Sequence, residues 1–174
     1  MCDGKYRRWC GKQRRGRASV PSDDATEWLR NLPRVVSYGS VKVVHASNTP
    51  VGNLAIHSGP EDAGNEFSVS VCCSICFNGH THVPIIGVHR QGEAPESLEF
   101  SSTVSIQSGC KVLINPGSVG QPRDNDPRSN CAIFETRDRT LRYLRTEYDI
   151  AKTQRAMAAA GLPESFIERL AHGR

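Results

Sequence analysis

The segment Gly79-His80-Thr81-His82 carries two imidazoles at positions i and i+2. In a strand they would share a face; in a tight loop their rings converge on one point or straddle two ions. Imidazole is a ligand for zinc, iron, nickel and copper, so the pair indicates a metal without selecting one. A third imidazole, His45, ends the β-branched run Val43-Val44 and precedes Ala46-Ser47. A polar residue at the carboxyl end of a strand, followed by small residues, is a common place for a site. Each of these histidines taken singly is also compatible with an ordinary loop or strand-end residue. A second grouping is Cys73-x2-Cys76-x3-His80-x-His82, four soft ligands that resemble a zinc knuckle. Against it, the cysteines lie on an apolar run, the gap before His80 is cramped, and structural zinc sites usually pair ligands from two separated segments.

Several elements must position these residues. Residues 34–38 and 41–45 are two short β-branched runs around Tyr38-Gly39-Ser40 and predict a hairpin ending at His45. Residues 74–77 predict a buried strand that delivers the histidine loop, and 83–89 the next strand. Residues 91–97 form a polar turn region. Residues 98–106 and 111–115 predict further strands, broken at Ser108-Gly109. Asn115-Pro116-Gly117-Ser118 has the chemistry of a turn: proline presets φ at the second position and glycine accepts positive φ at the third. Residues 119–130 read as a long polar loop with Arg123, Asp124, Asp126 and Arg128. Residues 131–136 and 140–148 predict an antiparallel pair around Arg137-Asp138-Arg139, with one polar face.

Helices are expected at 25–32, behind Ser22, Asp23 and Asp24, with Trp28, Leu29 and Leu32 on the apolar side. A second spans 150–160, capped by Asp149 and closed by Gly161. A third opens at Pro163 with Phe166, Ile167 and Leu170 apolar. Residues 48–60 read as loop and 61–67 as the start of a helix. The fold class is α+β: a β-sheet sandwich flanked by helices.

Composition sets the outer bounds. A chain of 174 residues at 37% hydrophobic is one domain with a tail. No apolar run approaches a membrane span and none follows the basic N-terminus as a signal peptide would require. The net charge of +4 is uneven: residues 1–20 hold seven Lys/Arg against one Asp, so a basic tail precedes a slightly acidic domain at 21–174. The tail, with Tyr6 and Trp9 among its arginines, is expected to be a disordered extension, with nucleic acid as its alternative partner. Seven cysteines, an odd number, predict a reduced, cytoplasmic chain.

Three pieces occur in a fixed order: the strand leading to His45-Ala46-Ser47, then Gly79-His80-Thr81-His82, then Asn115-Pro116-Gly117-Ser118-Val119-Gly120-Gln121-Pro122-Arg123-Asp124. Together they resemble the calcineurin-like metallophosphoesterases, in particular their bacterial phosphodiesterase and diadenosine-tetraphosphatase-like branch. Trp28-Leu29-Arg30-Asn31-Leu32-Pro33 and the ending from Tyr148-Asp149-Ile150 onward are similar to that branch too. The resemblance implies the C-terminal part of a four-layer αββα fold and hydrolysis of phosphate esters with two divalent ions of the Mn, Zn, Fe, Ni or Mg class. It implies His45 and His80 as ligands of one ion and His82 as a ligand of the other. Arg123 is the candidate substrate contact, against an ordinary loop arginine paired with its neighbouring acids.

The chain departs from the family pattern mildly after His45-Ala46-Ser47, where Asn48-Thr49-Pro50 follows, and more deeply in its carboxylates. The Asp-x-His, Gly-Asp and Gly-Asn-His elements, which supply the carboxylates of the two-ion site, are absent: no aspartate follows a glycine, and Gly52-Asn53 and Gly64-Asn65 lack the histidine. Two cations brought close with no anion between them repel strongly. The expectation is therefore an N-terminally truncated member with little or no hydrolysis by itself, unless a partner chain supplies the missing half. A non-catalytic remnant with a regulatory binding role is the alternative.

Overall fold

The computed structural model describes residues 22–46, 74–98 and 101–174. The chain divides into two units, Met1–Arg34 and Val35–Arg174. In the first, helix α1 spans Asp23–Arg30. Ser22 caps it, its side chain accepting from the Ala25 N–H at 3.3 Å, and Asp23 and Asp24 complement the positive end of the helix dipole. The expected apolar side is present as sequence, but none of the helix residues is buried.

The second unit holds nine strands among the described residues. They are β1 (Val35–Tyr38), β2 (Val41–Val44), β3 (Ile75–Phe77), β4 (Pro84–His89), β5 (Glu96–Ser97), β6 (Thr103–Ser105), β7 (Lys111–Pro116), β8 (Ser129–Glu135) and β9 (Thr140–Thr146). They form a six-stranded sheet in the order β1-β2-β3-β7-β4-β5 and a three-stranded sheet in the order β6-β9-β8. The strand expected over 98–106 is confined to Thr103–Ser105, with residues 99–100 outside the described set. Helices α2 (Ile150–Ala159) and α3 (Glu164–Glu168) follow, then a 3-10 turn over Arg169–His172. Asp149 caps α2 by accepting from the Lys152 N–H at 2.7 Å, and Gly161 ends it with φ of 68°. The helix expected from residue 61 and the loop at 48–60 lie outside the described residues.

Alternation along the strands explains the two-sheet arrangement. Ile75 on β3, Ile86 and Val88 on β4, and Val112 and Ile114 on β7 point one way and pack with Leu141 and Tyr143 of β9, Ile106 and Cys110. The intervening residues Cys76 and Leu113 point the other way and cluster with Val44. A period-2 pattern that is apolar on both faces belongs to a sheet covered on both sides, which is how a central parallel strand reads. Strands β2, β3 and β7 are parallel neighbours. That pairing decides the site, because their three carboxyl ends then lie side by side on one edge of the sheet.

Candidate metal centre

The residues that follow β2, β3 and β7 are His45, the loop from Asn78 to Val83, and the turn after Pro116. The register places Val43 beside Phe77 and Phe77 beside Ile114, so all three motifs leave the sheet at the same level. The Gly79 N–H donates to the His45 carbonyl at 2.9 Å and the Asn78 N–H to the Ile114 carbonyl at 2.9 Å. These bonds extend the ladder by one step and bring the His45 and His80 rings together, centroids 5.3 Å apart and nearly edge to face.

Both loop histidines adopt left-handed backbone, φ of 74° at His80 and 63° at His82. Such conformations cost a non-glycine residue about 1–3 kcal/mol and persist where surrounding contacts over-determine them. Here the contacts come from the third motif. Asn115, buried at the end of β7, donates through Nδ2 to the Gly79 carbonyl at 3.0 Å and to Thr81 Oγ1 at 2.9 Å. Its Oδ1 accepts from the Gly117 N–H at 2.9 Å, and its own carbonyl accepts from the Tyr143 hydroxyl at 3.0 Å. The amide thus fixes the histidine loop and the following turn at once. Gly117, with φ of 81°, fits only as glycine, since a Cβ would lie 2.7 Å from the Asn130 amide nitrogen.

His82 is held from the other side. Its Nδ1 lies 2.7 Å from the Gln121 carbonyl, which only accepts, so Nδ1 carries the proton and Nε2 keeps a lone pair in the neutral ring. Metal-ligating histidines characteristically donate their second nitrogen to a carbonyl or carboxylate, which fixes ring orientation. Burial lowers the His82 pKa; the Gln121 carbonyl pulls it upward, and Arg123, His80 and His45 add to the lowering. For His80 the lowering comes from burial first, then His45 and Arg123. Both shifts favour the neutral ring, the form that binds a cation.

Asn78, one residue before the Gly79 turn, is buried, and its Oδ1 has no hydrogen-bond partner among the described residues. Among the described residues no three His, Cys, Asp or Glu side chains gather closely enough to hold one ion. Of the three histidines, His45 and His80 are in ring contact and His82 is oriented by the Gln121 carbonyl. The carboxylate side is not met by the described residues, so a complete two-ion centre does not fit them.

The sequence alternative built on cysteine fares differently. Cys76 is fully buried on β3, packed with Val44 and Leu113, and Cys73 lies outside the described residues. Arg123 is brought to the histidines: its N–H donates to the His82 carbonyl at 3.2 Å and its guanidinium donates to Gln121 Oε1 at 2.8 Å. Asn115 and Gln121 are the site residues that sequence reasoning missed. Asn115 read as turn chemistry, although an asparagine at a buried strand end is itself a signal, because its amide must find four partners. Gln121 has no such signal, since its part is played by the main chain as much as the side chain.

No protein-family model matches the chain. A crystal structure of a metallophosphoesterase from Sphaerobacter thermophilus superposes on 88% of the chain at a TM-score of 0.76 and 38% identity. The chain carries part of a metallophosphoesterase fold. It spans 63% of that Sphaerobacter protein. A hypothetical protein from Pyrococcus horikoshii shares the fold at a TM-score of 0.63 and 16% identity, over 87% of the chain and 55% of its own length. An uncharacterized protein from Methanocaldococcus jannaschii is 37% identical over 100 residues, which is 58% of the chain and 40% of that relative. The metallophosphoesterase-like sandwich accounts for the three motifs meeting on one edge: they are sequence-distant, and only the parallel order β2-β3-β7 joins them. Among the described residues no helix is long and apolar enough to cross a membrane.

Proposed function

We propose that the chain is a member of the calcineurin-like metallophosphoesterases, of their bacterial phosphodiesterase and diadenosine-tetraphosphatase-like branch, truncated at its N-terminal side. In this reading His45, His80 and His82 are the imidazole ligands of a two-ion centre that acts on phosphate esters. The observation that carries it is the rim of imidazoles at the carboxyl ends of β2 and β3, with His45 and His80 in ring contact and His82 oriented by the Gln121 carbonyl. Divalent ions supply Lewis acidity at the phosphoryl oxygens in such a centre. This chain's residues contribute three neutral donors and a rigid loop. The carboxylates that would hold two cations together are not among the described residues, and a chain supplying the missing half is the proposed source. By itself the chain hydrolyses little or nothing.

The test is metal content and hydrolysis of an aryl phosphate monoester and diester with Mn²⁺ or Zn²⁺, on the chain and on His80→Ala. Metal bound by the chain and lost in the variant, with turnover near background, is the expected outcome. Turnover abolished by His80→Ala would mean that the described histidines suffice without added carboxylates. Metal retained in the variant would remove the histidines from the reading. The alternative, a non-catalytic remnant with a binding role, rests on the missing carboxylate elements and predicts no turnover under any added fraction of the absent half.

A further inference from the structure

The two sheets differ in width, and the wider one overhangs. Phe134 of β8 packs against Phe77 of β3, ring centroids 6.0 Å apart, and the Tyr143 hydroxyl of β9 reaches the Asn115 carbonyl of β7 at 3.0 Å. Strands β8 and β9 thus lie over β3 and β7, and β8 is the edge on the side of β2 and β1. Beyond that edge, no described strand of the second sheet covers β2 and β1. Val41 packs against the inter-sheet core. Val43, two residues on, shares its face, as do Tyr38 and Val36, which pair with Val41 and Val43. On the covered strands this face is sealed, Ile75 and Ile114 being almost fully buried; on the overhang Tyr38 is 72% exposed and Val43 41%.

The edge of β8 is open along the same step. Antiparallel pairs alternate between those that exchange main-chain hydrogen bonds and those that do not. Tyr143, opposite Ala132, sends its N–H to the Ser102 carbonyl at 2.9 Å, and Asn130, opposite Arg145, sends its own to Ser118 at 2.9 Å. Ala132 and Phe134 are in phase with Asn130, so their main-chain groups point away from β9, and no described residue meets them. Natural sheet edges are usually blunted by charge, proline or a covering element. The stretch Asn130-Cys131-Ala132-Ile133-Phe134 has neither charge nor proline.

We propose that the step between the β8 edge and the β1–β2 face is a docking groove for an extended strand of the polypeptide that supplies the half of the fold this chain lacks. The strand adds to β8 through main-chain hydrogen bonds and lays alternate apolar side chains on Val36, Tyr38 and Val43. The occupant follows from three observations. The chain spans 63% of the Sphaerobacter protein whose sandwich it shares, so part of that sandwich has no counterpart here. An antiparallel pair of β8 strands from two copies is sterically excluded, because the second copy would bring its own β3 into the space of β2. The groove also ends at the histidine rim: β8 starts beside Ser118, and Val43 lies two residues before His45. A strand antiparallel to β8 therefore leaves the groove beside His45. The inference rests on the reading that another chain completes the metal centre.

The experiment is amide hydrogen exchange by NMR on the full chain, alone and co-expressed with the part of the Sphaerobacter protein that the chain does not match. In the chain alone, the Ala132 and Phe134 amides are expected to exchange much faster than those of Cys131 and Ile133. In the complex they are expected to become protected. Ala132→Pro removes an outward-facing N–H and spares the bonds to β9, and Tyr38→Asp alters an exposed side chain on the opposite wall. Each is expected to weaken the complex about tenfold or more, and the pair covers a folding failure of either. A complex that leaves Ala132 and Phe134 unprotected, or that keeps its affinity in either folded variant, overturns the groove and leaves the reading of a completing chain standing. No complex at all overturns both. Protection of the two amides in the chain alone also overturns the proposal, assigning the groove to a second copy where it depends on concentration and to the chain's own residues where it does not.

Discussion

The core between the two sheets and the histidine rim at the carboxyl ends of β2, β3 and β7 are held by different physics. Ile75, Ile86, Val112, Ile114 and Leu141 are almost fully buried and interlock as apolar side chains with no polar demand to meet. At the rim, His80 and His82 sit in left-handed backbone, Asn78 keeps an orphaned oxygen, and the holding forces are directed hydrogen bonds from Asn115 and Gln121. The core lowers the free energy of the fold; the rim raises it locally and relies on the core's rigidity to stay in place. Strained residues gathered at one edge of an otherwise relaxed sandwich are what a binding site looks like energetically.

The comparison is broken most forcefully by emptying the core. Ile114→Ala removes a fully buried side chain at the centre of the inter-sheet cluster. The expected loss is about 3 kcal/mol, within the range for large-to-small changes that leave a cavity. Urea unfolding followed by far-UV circular dichroism measures it. A loss under about 1 kcal/mol would mean that the two sheets do not form one cooperative unit.

Next is the joint between the two regions. Asn115→Ala deletes the donors to Gly79 and Thr81 and the acceptor for the Gly117 N–H. Leaving buried partners unsatisfied is expected to cost about 2 kcal/mol. It should also release the histidine loop, so the diagnostic readout is hydrogen exchange: protection lost from residues 79–82 and kept on β3 and β4. Uniform loss of protection would instead make Asn115 a core residue with no special tie to the rim.

The opposite sign is expected at the rim itself. His82→Gly removes the penalty for a side chain at φ of 63° and is expected to raise stability by about 1 kcal/mol. The same change deletes a proposed ligand, so a more stable protein that binds less metal is the outcome. A destabilised variant would show that the bond to the Gln121 carbonyl outweighs the backbone strain.

How much of this was legible in the sequence follows from the same division. Strand positions came through where alternation and turn chemistry agree, as at 74–77 and at Asn115-Pro116-Gly117, because side-chain period and φ preference are local properties. The strand expected over 98–106 came out short, since nothing in a local window fixes how far a strand is paired. The histidines could be named from their types, and the motif order tied them to a family. Their convergence could not be read locally, because it depends on β2, β3 and β7 being parallel neighbours, a pairing across more than 30 residues of chain in each case. Arg123 stood in the sequence as one arginine among acids. The pairing of Asp124 with Arg145 on β9 is likewise legible only in the fold.

The smallest expected effect lies in that acid loop and concerns pH. Arg128, by hydrogen bonds to its side chain and main chain, holds the Asp126 carboxyl down to about 2, with Arg145 adding to the lowering. A carboxyl whose pKa is lower folded than unfolded binds fewer protons in the native state. Its contribution to stability is therefore complete above the ordinary carboxylate value and is lost as pH falls through the folded value. The window runs from about pH 4 down to about pH 2. Asp126→Asn should flatten the stability curve in that window: the variant is slightly less stable than the parent near pH 7, by the small amount a solvent-screened pair contributes, and the two converge as pH falls to about 2. The sharper consequence is local. The Asp126 carboxylate accepts from the Arg128 N–H at 3.0 Å and turns the loop between the histidine rim and Gly173. If that turn positions Arg123, acidification through the same window should loosen residues 123–126 in hydrogen exchange before β8 and β9 lose protection. Loss of protection in the loop and the sheet at one pH would assign the titration to global unfolding and leave Asp126 without a positioning role.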